Sequence, residues 1–255
     1  MNIDHLSVSR AGVFKQCPQH YKYQYHLKLV SDEPEPYYFA YGTMIHKIAE
    51  EYVRGRGQRD LYDIAYDVLH GVIPIEGNTK APPLDSQYKD RFPDHLYSIQ
   101  KLTDSIGFDG LLEWEFHHDL NPPHNYIFMG YIDRLIVQDD NYWIIDYKTT
   151  QVGKYRKTQA NVAEDLQLKA YAMVVRRHFK AQAKNIRTAL YYVDGGELVG
   201  AQFTDETLDR TERELLDMYL KIKGADPGQV WGTPGDWCNR CDYRKICPFF
   251  SLVRK

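Results

Sequence analysis

The sequence is short of what a membrane or secreted protein needs. No apolar run approaches the roughly 20 residues that span a bilayer, and Met1-Asn2-Ile3-Asp4-His5 lacks the features of a secretory signal. An intracellular, cytoplasmic location without a membrane partner is the expectation. Internal repeats, low-complexity tracts and a G-x-x-x-x-G-K-S/T phosphate loop are also missing, so any ATP-driven step must come from a partner. Basic charge is not in excess: 32 lysines and arginines against 35 acids leave a net charge of −3. Nucleic-acid binders usually show a basic patch, yet an enzyme whose acids hold metal makes its phosphate contacts locally, so the balance excludes little.

Cysteine is scarce. The four in the chain are Cys17, Cys238, Cys241 and Cys247, and the last three form C-x2-C-x5-C. Structural disulfides are disfavoured inside cells, and the close spacing argues for metal. Four thiolates suit tetrahedral Zn2+ or a 4Fe-4S cluster, and spacing does not choose between them.

What is present is ordinary for a globular chain, with 43% hydrophobic and 26% charged residues in 255. That length favours a single domain. The 21 tyrosines are unusual. An aromatic-rich surface suits stacking on unpaired bases, although most of these rings belong in or near a core.

Gly130-Tyr131-Ile132-Asp133-Arg134 and Tyr142-Trp143-Ile144-Ile145-Asp146-Tyr147-Lys148 flank the polar turn Gln138-Asp139-Asp140-Asn141 and read as a β-hairpin. With Asp139 and Asp140 in the turn, Gln138 faces Asn141, Leu135 faces Ile144 and Asp133 faces Asp146. Strand alternation sets Asp146 and Lys148 on one surface with Asp133, and Tyr147 on the other. Opposed carboxylates are destabilising without compensation. A hard cation, Mg2+ or Mn2+, supplies it.

Elsewhere, Ser7 or Ser9 caps a helix that stops near Cys17, before Pro18, and His20–Leu29 is helical or irregular. Helices are expected over 41–53, with Ile45, Ile48, Ala49 and Tyr52 as its buried stripe, and over 59–70, 88–106, 162–179 and from Thr204-Asp205-Glu206 to about 223. Strands are expected at 111–116, 186–193 and 198–203, and an irregular loop over 71–87. Glu115 either faces the site or is a salt-bridged surface residue. A loop after Lys148 carries Lys154, Arg156 and Lys157, either a solvated basic face or a contact to backbone phosphate. Gln167 and Tyr171 share one helical face.

The pattern of Asp133 with Asp146-Tyr147-Lys148 resembles the core motif of the PD-(D/E)xK nuclease superfamily, in its RecB-like branch. Gly42-x-x-x-His46 and Gln167-x-x-x-Tyr171 are similar to the G-x-x-x-H and Q-x-x-x-Y motifs of that branch. One cysteine before the core and three after it, with Cys17-Pro18 and Cys247-Pro248 outermost, resembles its iron-sulfur staple, found in nucleases of CRISPR adaptation and of some recombination helicase complexes. The resemblance implies an α/β fold, a central mixed β-sheet flanked by helices, over a single nuclease domain of residues 1–255. Its core would be 42–203, with 1–40 and 224–255 forming the cysteine-cluster region. It further implies Mg2+ or Mn2+ on His46, Asp133, Asp146 and the Tyr147 carbonyl, Lys148 acting on water or transition state, and Gln167 and Tyr171 orienting substrate or lysine. The four cysteines would hold a 4Fe-4S cluster rather than Zn2+. The implied activity is a DNA exonuclease acting on single-stranded or end-bearing DNA in recombination, repair or CRISPR adaptation, with a helicase or integration partner. The rival reading is a non-catalytic DNA-binding or assembly subunit that keeps the fold.

Overall fold

Five strands form one sheet in the order β1-β2-β3-β4-β5: Leu111–Asp119, Ile127–Gln138, Asn141–Lys148, Ile186–Tyr192 and Glu197–Ala201. The computed structural model describes residues 1–31, 36–75, 81–84, 86–151, 153 and 156–253. β2 and β3 are antiparallel, β3 and β4 parallel, and β4 and β5 antiparallel, so the sheet is mixed as expected. Asp139 and Asp140 both have left-handed backbone, φ +47° and +60°, as a two-residue type I′ turn requires. That turn sets Gln138↔Asn141, Leu135↔Ile144 and Arg134↔Ile145. One step further, where counting sets Asp133 opposite Asp146, the backbone N–H of Tyr147 donates to Asp133 Oδ2 at 2.7 Å.

The α-helices are α1 (Val8–Gln16), α2 (Pro18–Tyr21), α3 (Tyr37–Arg54), α4 (Leu61–Leu69), α5 (Ser86–Lys89), α6 (Phe92–Ile106), α7 (Leu166–Phe179) and α8 (Asp205–Gly224). Ser7 rather than Ser9 caps α1, its Oγ accepting from the Arg10 N–H. The open segment 20–29 continues α2 and then widens into a π-turn over Lys22–His26. Two expected helices differ. The helix expected over 88–106 divides into α5 and α6, with Pro93 in the first turn of α6, where its missing N–H costs nothing. The helix expected from 162 starts only at Leu166, because Asp165 is extended and its carboxylate accepts from the Leu168 N–H as an N-cap; Val162–Glu164 is a separate 3-10 turn.

The described residues group into two compact units. One comprises Glu35–Glu115 and Tyr131–Leu208, the other Met1–Pro34, Phe116–Gly130 and Asp209–Lys255. Every motif residue from Gly42 to Tyr171 falls in the first, and all four cysteines in the second. In the first unit α3 buries Ile45, Ile48, Ala49 and Tyr52 against Ile145 and Tyr147 of β3 and Ile99 of α6. The Arg134 side chain is fully buried there. It donates to the carbonyls of Gly107 and Asp109 just past α6, where a cation complements the negative end of the helix dipole. In the second unit Leu6 bridges Phe128 in parallel, and Phe128 packs on Phe116 with ring centroids 5.5 Å apart. Among the described residues no helix is long and apolar enough to cross a membrane.

Candidate active site

The apolar stripe of α3 fixes that helix's rotation, and His46, next to the stripe, is thereby turned to the end of β3. Its Nε2 lies 2.9 Å from the Tyr147 carbonyl and its Nδ1 3.4 Å from Asp133 Oδ2. A carbonyl only accepts, so Nε2 carries a proton. The ionised carboxylate draws a proton to Nδ1 as well. Burial alone would lower the histidine pKa, but the charge and hydrogen bond of Asp133, with Asp146 behind it, outweigh that and hold it at about 9. Without a cation the ring is therefore an imidazolium.

Asp133 is held below the usual carboxylate range: burial raises it, and His46, Lys148 and the Tyr147 N–H more than compensate. Asp146 is 1% exposed. Burial pushes it up to about 6, opposed by Lys148 and reinforced by Asp133. Its Oδ2 sits 2.5 Å from Lys148 Nζ and pairs with it. Two buried carboxylates whose charges raise one another's cost suit a divalent cation. Lys148 stays charged because Asp146 and Asp133 outweigh the effect of burial. It donates to Gln167 Oε1 at 3.0 Å, and Gln167 Nε2 donates to the Tyr171 hydroxyl at 2.8 Å. The i, i+4 spacing on α7 thus becomes a polar line, Asp146–Lys148–Gln167–Tyr171.

Of the two readings open for Glu115, the structure has the surface one, and another glutamate of β1 lies by the site. Among the described residues, His46, Glu113 and Asp133 form the group whose ligand atoms lie within 4.8 Å of one another. Glu115 is exposed and accepts from the Tyr131 hydroxyl at 3.1 Å. Backbone at Glu113 is left-handed, φ +45°, so strand alternation is interrupted there and residue parity no longer predicts which acid turns inward. The only signal in the sequence was the presence of two glutamates separated by one residue, Trp114.

Of the basic loop, Lys154 lies outside the described residues. The Arg156 side chain is turned inward: it is 7% exposed, paired with Glu197 at 3.0 Å and placed over the Tyr192 ring at 4.2 Å. The Lys157 side chain is half-buried and its backbone N–H donates to the Tyr192 hydroxyl. Arg156 is thus engaged by Glu197 and Tyr192 within the fold.

The four cysteines are free thiols that line one small cavity together with His20 and Tyr23. The Thr233 N–H points to Cys17 Sγ at 3.5 Å. Burial pushes the Cys241 thiol up, the Tyr243 N–H counters it, and the other three sulfurs raise it further. Cys247 behaves alike, with the Phe249 and Phe250 N–H groups opposing. Sulfurs that repel one another when ionised, and that receive backbone N–H groups, fit a shared cationic centre.

Among solved structures, the chain is similar to that of a candidate exonuclease from Eubacterium rectale, at 13% identity over 98% of this chain and 93% of that one, with a TM-score of 0.54. The structure of SSO0001 covers 90% of this chain and 94% of its own at 16% identity, with a TM-score of 0.40. The first likeness shows the fold; the second carries no argument. No curated protein matches the chain. The family model of the PD-(D/E)XK nuclease superfamily matches residues 5–248. This span takes in the α3 histidine, the hairpin carboxylates and their lysine, and all four cysteines, and the chain belongs to the PD-(D/E)XK nuclease superfamily.

Proposed function

We propose that this chain is a metal-dependent DNA exonuclease of the RecB-like branch, with His46, Glu113, Asp133, Asp146 and the Tyr147 carbonyl as ligands for Mg2+ or Mn2+. The observation that carries the reading is the polar line Asp146–Lys148–Gln167–Tyr171 beside the trio His46, Glu113 and Asp133. When bound, the cation polarises the scissile phosphate and lowers the pKa of a water. The Lys148 ammonium, held from one side by Asp146 and from the other by Gln167, faces the charge that develops on the phosphate. Tyr171, its own hydroxyl kept neutral by burial, fixes the Gln167 amide and thereby the lysine.

The cysteine quartet is proposed to hold a 4Fe-4S cluster with a structural role. The setting is the cytoplasm, in recombination, repair or CRISPR adaptation. The partner in this reading is a helicase or an integration protein, and any ATP-driven unwinding belongs to it. The test is an assay of end-labelled linear DNA and of covalently closed circles with Mg2+, Mn2+ or EDTA. Metal-dependent release of nucleotides from linear single strands is expected, with closed circles resistant. Cleavage of closed circles would show an endonuclease. DNA binding without cleavage in any metal would favour the non-catalytic subunit.

A further inference from the structure

The catalytic cleft of about 480 Å³ has two aromatic rings at its rim that the reaction does not use. Tyr38 and Phe39, in the first turns of α3, line the cleft together with Gly42, Thr43, His46 and Lys148. Both rings are 55% exposed. They contact each other, with centroids 4.5 Å apart and planes 38° apart. Their neighbours in the same turns behave differently: Tyr41 is fully buried and packs on Tyr88 at 4.1 Å, and Tyr37 packs on the same ring at 5.1 Å. Packing therefore accounts for Tyr37 and Tyr41 but not for two large apolar rings left in water.

Position along the helix gives the pair a meaning. Phe39, Gly42 or Thr43, and His46 recur at intervals of three and four and so share one side of α3. From Phe39 to His46 is seven residues, about 10 Å along the axis, or about three stacked nucleotide steps. Between them Gly42 leaves the cleft floor bare. A Cβ there would meet Thr149 Oγ1 at 3.5 Å, an ordinary contact, so packing tolerates alanine. Glycine within a helix is nonetheless destabilising relative to alanine. Its use here keeps the surface between the rings and the metal ligands flat enough for a backbone to lie on.

We propose that Tyr38 and Phe39 are a stacking platform for the unpaired bases of single-stranded DNA, which they hold while the sugar-phosphate backbone crosses Gly42 towards His46 and Lys148. This rests on the nuclease reading above and makes it specific: the substrate class is DNA with unpaired bases at the cleft. Aromatic rings accept any base by its face, so the pair selects for strandedness and not for sequence. A duplex keeps its bases stacked inside and offers the rings nothing.

The test measures fluorescence anisotropy of the full chain in EDTA, so that binding is read without cleavage. The probes are labelled oligothymidylate, an abasic oligomer of equal length and a blunt duplex. The variant Tyr38→Ala with Phe39→Ala should bind oligothymidylate about 5- to 100-fold more weakly than wild type, with little change on the abasic oligomer or the duplex. The exchange Tyr38→Phe with Phe39→Tyr keeps both rings and should restore binding. Unchanged binding of oligothymidylate, or equal losses on the thymidylate and abasic oligomers, would overturn the platform while leaving the nuclease reading intact. A wild-type chain that neither binds nor cleaves any of the three DNAs overturns both. Unaltered Mn2+ affinity and melting temperature in the alanine variant would show that its loss is not one of folding.

Discussion

Lys148 Nζ donates to Gln167 Oε1 at 3.0 Å, which ties the strand bearing the lysine to the crossover helix that follows it. A lysine has four rotatable side-chain bonds and loses much freedom when fixed. Here it is held at its tip from two sides, with Asp146 Oδ2 at 2.5 Å as the second partner. The hydrogen bond from Gln167 to Tyr171 holds the amide in turn.

Lys148→Ala and Asp146→Ala should each reduce cleavage by about 100- to 1000-fold, the usual cost of losing one such electrostatic contact. Asp146→Ala should also weaken Mn2+ binding, whereas Lys148→Ala should not. Calorimetric titration with Mn2+ separates the two. Wild-type speed in a folded Lys148→Ala protein would end the proposed role of the lysine.

Gln167→Ala leaves Lys148 charged and removes one of its two anchors. Cleavage should fall by about 10- to 100-fold, as when other outer partners of a site are lost, with Mn2+ affinity little changed. Tyr171→Phe should show a smaller loss of the same kind. Single-turnover rates on linear single-stranded DNA provide the check.

Glu113→Gln removes one negative charge from the group formed with His46 and Asp133 and should weaken Mn2+ binding about tenfold or more. Glu115→Gln, altered on an exposed side chain that accepts from Tyr131, should leave it unchanged. Mn2+ titrations of the two variants side by side decide between the two glutamates. Equal effects would remove Glu113 from the ligand set.

His46, at about 9 in the metal-free fold against an ordinary 6.5, gives a pH signature. Its folded pKa is raised, so its proton stabilises the metal-free protein fully below about pH 6.5, and that contribution is lost as pH rises through about 9. A cation competes with the same proton. Mn2+ affinity should therefore climb with pH across that window, by about tenfold per unit for one displaced proton. Titrations in two buffers of different ionisation heat should reveal the released proton, and a flat profile would place the metal away from His46.

Cys17→Ser should bleach the proposed cluster, lower the melting temperature and reduce activity indirectly. A cluster shared by Cys17 and Cys238–Cys247 closes a loop of more than two hundred residues, where a cross-link restricts the unfolded chain most in the simple entropy model. Anaerobically purified protein should be brown and lose colour in air. A colourless preparation with stoichiometric zinc would replace the cluster with a Zn(Cys)4 site.

The placement of several candidate-site residues was legible in the sequence, where it depends on local periodicity. Asp139-Asp140 set the hairpin register through their backbone preference, the stripe Ile45, Ile48, Ala49 and Tyr52 turned His46 to its neighbours, and the four-residue spacing of Gln167 and Tyr171 aligned their tips. What depended on partners distant in the sequence was not legible. Glu113 rather than Glu115 meets His46 and Asp133, which come from two other elements. Arg156 was drawn inward by Glu197 and Tyr192, contributed by two other strands, and Arg134 was buried beneath the carbonyls just past α6. Periodicity reports which side of its own element a residue occupies. Which charge meets it there is decided only when the elements pack.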